Sequence, residues 1–133
     1  MNAEERRSYL AGESNPDPRL DYVVEIKAEV ATPGGAHAQT TVILRYVPYR
    51  QVIKPASFGQ YLRILEGLGL PTLEAVAAII LDDLNNELVG RWVQVTLSTA
   101  AAVHPGIHSH AVVLEDRQPT WDNPGLLSRL RRF

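Results

Sequence analysis

The chain has 133 residues, a formal net charge of −2 and no cysteine. This length is typical of one domain with its own core, and the near-neutral charge argues against nucleic acid as the main partner. The absence of cysteine excludes disulfides, thiolate nucleophiles and thiolate metal sites.

The first 18 residues, MNAEERRSYLAGESNPDP, are charged and contain prolines. This composition predicts a flexible N-terminal segment without an apolar signal sequence. No apolar run in the chain approaches the roughly 20 residues that a membrane-spanning helix needs. We therefore expect no membrane partner and a cytoplasmic location.

Two stretches with strand patterning follow this segment. The stretch LDYVVEIKAEV alternates between two faces, one with Tyr22, Val24, Ile26, Ala28 and Val30 and the other with Val23, Glu25, Lys27 and Glu29. The turn residues TPGG interrupt this strand, and the β-branched run TTVILRYVPY predicts a second strand that ends near Pro48. We expect the two strands to pair in antiparallel orientation.

Two helices are predicted next. Ser57 and Gln60 form a capping-box pattern at the start of the first helix. The apolar stripe of this helix consists of Phe58, Tyr61, Leu62 and Leu65. Thr72 is the predicted N-cap of the second helix, LEAVAAIILDDLNNELVG, and Gly90 is its predicted C-terminal cap. The residues of the second helix that are spaced to face inward are Leu73, Val76, Ala77, Ile80, Leu84 and Leu88.

Two further strands complete the pattern. RWVQVTLSTA alternates Val93, Val95 and Leu97 with more polar residues, and IHSHAVVLEDR predicts a fourth strand. The order β-β-α-α-β-β predicts an α+β domain over residues 19–121, in which two helices cover one face of a four-stranded antiparallel sheet, followed by a tail over 122–133. The open edges of such a sheet favour self-association.

Five motifs in this region fall in the order and spacing of one known family: NPDPRLDYVVEI, YVPY, SFGQYL, TLEAVAAIILDDL and HPGI. On these motifs the stretch from Asn15 to Trp121 resembles the 7-cyano-7-deazaguanine reductases of queuosine biosynthesis, the QueF family. The resemblance implies the tunnelling fold, whose units assemble into rings that commonly stack in pairs. It also implies ligand sites between subunits, where a glutamate anchors a purine or pterin ring.

The reductases use a cysteine nucleophile, an aspartate seven positions later and NADPH to reduce a nitrile. The resemblance places Ala31 and Ala38 at the cysteine and aspartate positions, and His104 at the arginine of the family motif Arg-Gly-Gly-Ile. The family's cofactor motif Glu-Ser-Lys-Ser corresponds here to Lys54, Pro55, Ala56 and Ser57. We therefore expect neither nitrile reductase activity nor a cofactor, NADPH included.

Glu74 aligns with the ring-anchoring glutamate of the family. A carboxylate accepts two parallel N–H bonds from a guanine-like edge, but an acidic residue in the first turn of a helix is also favoured by the helix dipole. The resemblance implies a ligand site that contains Glu74, Ser57 and Leu73, although the family has histidine at the position of Leu73.

Several other polar residues are candidates for chemistry. His37 is the residue of its loop that titrates near neutral pH, so it is a candidate for acid–base catalysis or simply a solvated histidine. His104, His108 and His110 form a weak candidate metal site, and we predict no metal because Pro105-Gly106 breaks their strand parity. The neighbours Asp82-Asp83 point about 100° apart on a helix and are assigned to a solvated face or a subunit contact.

Three hypotheses about function follow from the sequence. The first is a QueF-like homo-oligomer, ring-shaped and in single or stacked rings, that binds a small planar heterocycle between subunits. The second is a repurposed biosynthetic enzyme that uses acid–base or metal-assisted chemistry on a heterocycle or carbonyl compound. The third is a structural pseudoenzyme that assembles with an active homologue.

Overall fold

The computed structural model of the protein describes residues 1–34, 38–99 and 103–130. Its elements, in chain order, are α1 (Ala3–Arg7), β1 (Gly12–Ser14), β2 (Val24–Ala31), β3 (Gln39–Val47), β4 (Gln51–Ile53), α2 (Pro55–Glu66), α3 (Leu73–Leu88), β5 (Trp92–Thr99), β6 (His110–Arg117) and α4 (Pro124–Leu127). Within these residues, no helix combines the length and the apolar character that crossing a membrane requires.

The main sheet has four strands in the order β2-β3-β5-β6, and every neighbouring pair is antiparallel. The predicted α+β class and the predicted antiparallel pairing of the first two long strands are confirmed. Alternation along β3 and β5 places Val42, Leu44, Val95 and Leu97 on one face, where they are fully buried with side chains of α2 and α3. The core therefore lies between this sheet face and the two long helices.

The helix α3 follows its sequence pattern closely. All six residues predicted to face inward are buried, and the Thr72 hydroxyl accepts a hydrogen bond from the Ala75 amide at 3.1 Å, as predicted for its N-cap. The predicted cap at the other end is wrong. Val89, with φ of 45°, takes the left-handed cap position in place of Gly90. A Cβ on Gly90 would lie 3.3 Å from the Val47 carbonyl oxygen, so this glycine allows close packing instead.

The capping box predicted at Ser57 is also wrong. Helix α2 has its N-cap at Lys54, three residues earlier, and begins at Pro55, because proline is well suited to the first helical position. Ser57 therefore lies inside the first turn. Its hydroxyl accepts a hydrogen bond from the Ala11 amide at 3.0 Å and donates to the Lys54 carbonyl at 2.7 Å. Ser57 thus attaches the N-terminal segment to α2.

The N-terminal segment contains α1 and β1, two elements that the sequence analysis does not predict. Strand β1 pairs with β4, and α1 is joined to α3 through ion pairs. Asp83 is fully buried there and binds Arg6 and Arg7, while the hydroxyl of Tyr61 donates to the same carboxylate at 2.6 Å. The assignment of Asp82-Asp83 to a solvated face is therefore wrong for Asp83, since its charge is compensated internally.

Candidate functional site

A pocket of about 260 Å³ opens at one end of the sheet, where the start of α3 meets the segment that leads into β6. Its walls are formed by residues 32–34, residues 71–74, Thr99 and parts of 103–110. Apolar side chains such as Leu73, Val103 and Ile107 line it together with a few polar groups. This combination is typical of sites for small organic ligands.

Glu74 stands at the rim of this pocket because of how α3 begins. Thr72 caps the helix, Leu73 is buried in the core, and the next side chain along the helix turns outward to the pocket. The Oε1 atom of Glu74 lies 2.7 Å from Nε2 of His110, the first residue of β6. The side chains are partly exposed, 58% for Glu74 and 42% for His110.

A second pocket, of about 370 Å³, shares residues 32–34 and Pro71 with the first. Ala31, predicted to replace the family's cysteine, lines this second pocket, and its amide donates to Glu66 Oε2 at 2.6 Å. Ala38 lies across the same hairpin, where its carbonyl accepts a hydrogen bond from the Thr32 amide at 3.0 Å. Ala31 and Ala38 are thus brought to the hairpin end that borders the Glu74 pocket.

The four residues at the family's cofactor motif lie at the start of α2. Lys54, Pro55 and Ala56 are exposed, whereas Ser57 is buried against the N-terminal segment. Ser57 does not line the pocket that contains Glu74. Within one chain, the structure therefore brings together Glu74 and Leu73 but not Ser57.

Three of the histidines can be placed. His104 and His110 line the Glu74 pocket, whereas His108 is exposed and does not. In the described ranges, no three or more His, Cys, Asp or Glu side chains are grouped so that they could hold a metal ion. His37 lies outside the described residues, so its candidate acid–base role stays a prediction.

The sequence analysis identifies Glu74 but misses its contact with His110. The two residues belong to a helix and a strand that are distant in the chain, and periodicity carries no signal for such a pair. The polar groups Thr99 and Ser109 of the same pocket were missed for the same reason.

No family model matches this sequence, and no curated protein matches it. The resemblance to the deazaguanine reductases therefore rests on the five motifs and stays a prediction.

Proposed function

We propose that this chain is a diverged QueF-like protein of the tunnelling fold that binds a small planar heterocycle at Glu74. The observation that carries the proposal is the position of the Glu74 carboxylate, which stands at the rim of a largely apolar pocket and is held there by His110 at 2.7 Å. A carboxylate in such a place accepts a pair of parallel N–H bonds from the edge of a guanine-like ring.

The size of the pocket supports a small ring system as the ligand. Its volume of about 260 Å³ is slightly below the roughly 300–1,000 Å³ of pockets that hold drug-sized ligands. The apolar walls suit the faces of a flat ring, while the polar side chains Ser109 and His104 offer hydrogen bonds at its edge.

Two features support a ring-like homo-oligomer as part of the proposal. Strands β2 and β6, each eight residues long, are the outer strands of the main sheet, and among the described residues each pairs with one other strand. At the end of β2, side chains of α2 already bind the Ala31 amide and the Glu29 carbonyl, so β6 is the more open edge. The exposure of Glu74 and His110 leaves the pocket open on one side, so a neighbouring subunit would complete it. Native mass spectrometry of the purified protein tests this assembly, and a monomer without a retained ligand would contradict it.

The proposal also includes that the chain does not catalyse nitrile reduction. A thioimide requires a thiolate nucleophile, and the chain has no cysteine. Ala31 and Ala38 carry no group that could replace the nucleophile or its proton donor. Oxidation of NADPH in the presence of 7-cyano-7-deazaguanine would overturn this part.

Isothermal titration calorimetry with 7-cyano-7-deazaguanine tests the binding site itself. We expect Glu74→Gln to weaken binding about tenfold or more, because a hydrogen bond to a charged group contributes roughly 1.5–3 kcal/mol. Glu87→Gln removes an equal charge from the same helix away from this pocket and is the matched control. Equal affinities for the wild type and both variants would exclude Glu74 as the anchor.

Acid–base catalysis at the same site is a second candidate function, which the contact between His110 and Glu74 favours. A carboxylate that orients an imidazole is a common arrangement for proton transfer. The test is turnover of deazapurine and pterin compounds by the wild type, His110→Ala and Glu74→Gln. Turnover that neither substitution changes would exclude this candidate.

A further inference from the structure

The contact between Glu74 and His110 joins two elements at the pocket. Glu74 lies in the first turn of α3, and His110 begins β6, where it pairs with Thr99 of β5. Both side chains are partly exposed, and an exposed contact of this kind contributes little to folding. The main effect of the contact between Glu74 and His110 is therefore to orient the Glu74 carboxylate.

Orientation matters because a glutamate side chain rotates about three bonds, and ordering it costs conformational entropy. Two parallel N–H bonds form only when the carboxylate plane coincides with the plane of the ligand edge. His110 has a shorter side chain with two rotatable bonds and is attached to a strand of the main sheet. A hydrogen bond from its Nε2 to Oε1 therefore restricts the Glu74 carboxylate before a ligand arrives.

The same contact leaves enough acceptor capacity for a ligand. An ionised carboxylate offers about four lone-pair positions on its two oxygens. His110 uses one position on Oε1 of Glu74, so Oε2 and the remaining position on Oε1 accept two further N–H groups.

We propose that His110 is a positioning residue that holds Glu74 for ligands whose edge presents two adjacent N–H donors, as a 2-aminopyrimidinone ring does. This inference rests on the proposed binding function and adds the residue that determines its selectivity. A ring without the exocyclic amine offers one N–H donor, so fixing the carboxylate increases its binding affinity less.

The experiment compares 9-methylguanine with 9-methylhypoxanthine, which differ in the exocyclic amine. We expect the wild type to prefer 9-methylguanine, and His110→Ala to weaken its binding up to about fivefold, the upper limit for an exposed contact of this kind. Binding of 9-methylhypoxanthine should change about twofold or less in the same variant, because it uses a single N–H donor. His110→Gln keeps an N–H donor and should restore most of the preference, whereas His108→Ala is the control outside the pocket.

The outcomes separate this inference from the proposed function. If 9-methylguanine binds in a Glu74-dependent way but His110→Ala leaves its affinity and preference unchanged, the positioning role is wrong and the binding function stands. If neither compound binds the wild type, both fail. Nitrogen-15 NMR of the ligand-free protein provides an independent reading, since Glu74→Gln should shift the His110 Nε2 resonance. An unchanged resonance would overturn the inference whatever the ligand result.

Discussion

Replacing Asp83 with asparagine is predicted to destabilise the protein by about 3 kcal/mol. The carboxylate is fully buried and accepts from Arg6 Nε at 2.9 Å, Arg6 Nη2 at 3.1 Å, Arg7 Nε at 2.9 Å and the Tyr61 hydroxyl at 2.6 Å. Asparagine removes the charge and turns an amide N–H₂ toward these donors. Removing one partner of a buried ion pair typically costs about 3–5 kcal/mol.

The lower end of that range applies because the two arginines can regain contact with water. Arg6 and Arg7 keep 13% and 20% of their side-chain exposure, so they regain water if α1 detaches from the helix layer. Detachment exposes the first residues of the chain. Trypsin should then cleave after Arg6 and Arg7 faster in Asp83→Asn than in the wild type.

Urea unfolding measures the predicted decrease in the free energy of unfolding. The neighbouring residue, Asp82, offers a matched control. Asp82 is 71% exposed and contacts Arg7 at 2.8 Å, so Asp82→Asn should cost less than about 1 kcal/mol. If the free energy of unfolding decreases no more in Asp83→Asn than in Asp82→Asn, the reasoning is refuted. Unchanged tryptic cleavage in Asp83→Asn would show that the ion pairs do not hold α1 in place.

Three further predictions concern stability. Burial raises the pKa of Tyr46 and of Tyr61 above the usual value of 10.0, so the unfolded chain loses these protons first. The free energy of unfolding is therefore expected to be fully present below about pH 10 and to fall above it, less steeply in Tyr61→Phe than in the wild type; a flat alkaline profile would contradict this. Val89→Gly should raise the free energy of unfolding by up to about 1 kcal/mol, because glycine adopts the left-handed conformation without strain. Gly90→Ala should lower the same free energy, because its Cβ meets the Val47 carbonyl, and thermal unfolding that reverses this order would refute both assignments.

The parts of the fold that were predicted are those that burial imposes on neighbouring residues. A strand with one buried face alternates, as Val93, Val95 and Leu97 do, and a helix on a sheet repeats its apolar residues every three or four positions, as α3 does. These patterns are local, so one sequence reveals them. Strands with one apolar and one polar face are typical of antiparallel sheets, so the sequence also predicts the antiparallel pairing.

The remaining features depend on contacts between distant residues. Arg6 and Asp83 are 77 positions apart, and a charged N-terminal segment has the same composition whether or not it finds a buried carboxylate. Glu74 and His110 meet because the sheet places the start of β6 beside the start of α3. The local sequence also led to a wrong prediction at the start of α2, where Pro55 occupies the first helical position ahead of Ser57.

The most direct test of the central claim is a crystal structure of the protein with 7-cyano-7-deazaguanine. We predict that the ring lies in the pocket of about 260 Å³, with its ring N–H and exocyclic amine about 2.7–3.2 Å from the Glu74 carboxylate oxygens. His110 should keep its contact with Oε1 in that complex. A ring bound elsewhere, or an empty pocket at saturating ligand, would contradict the proposed function.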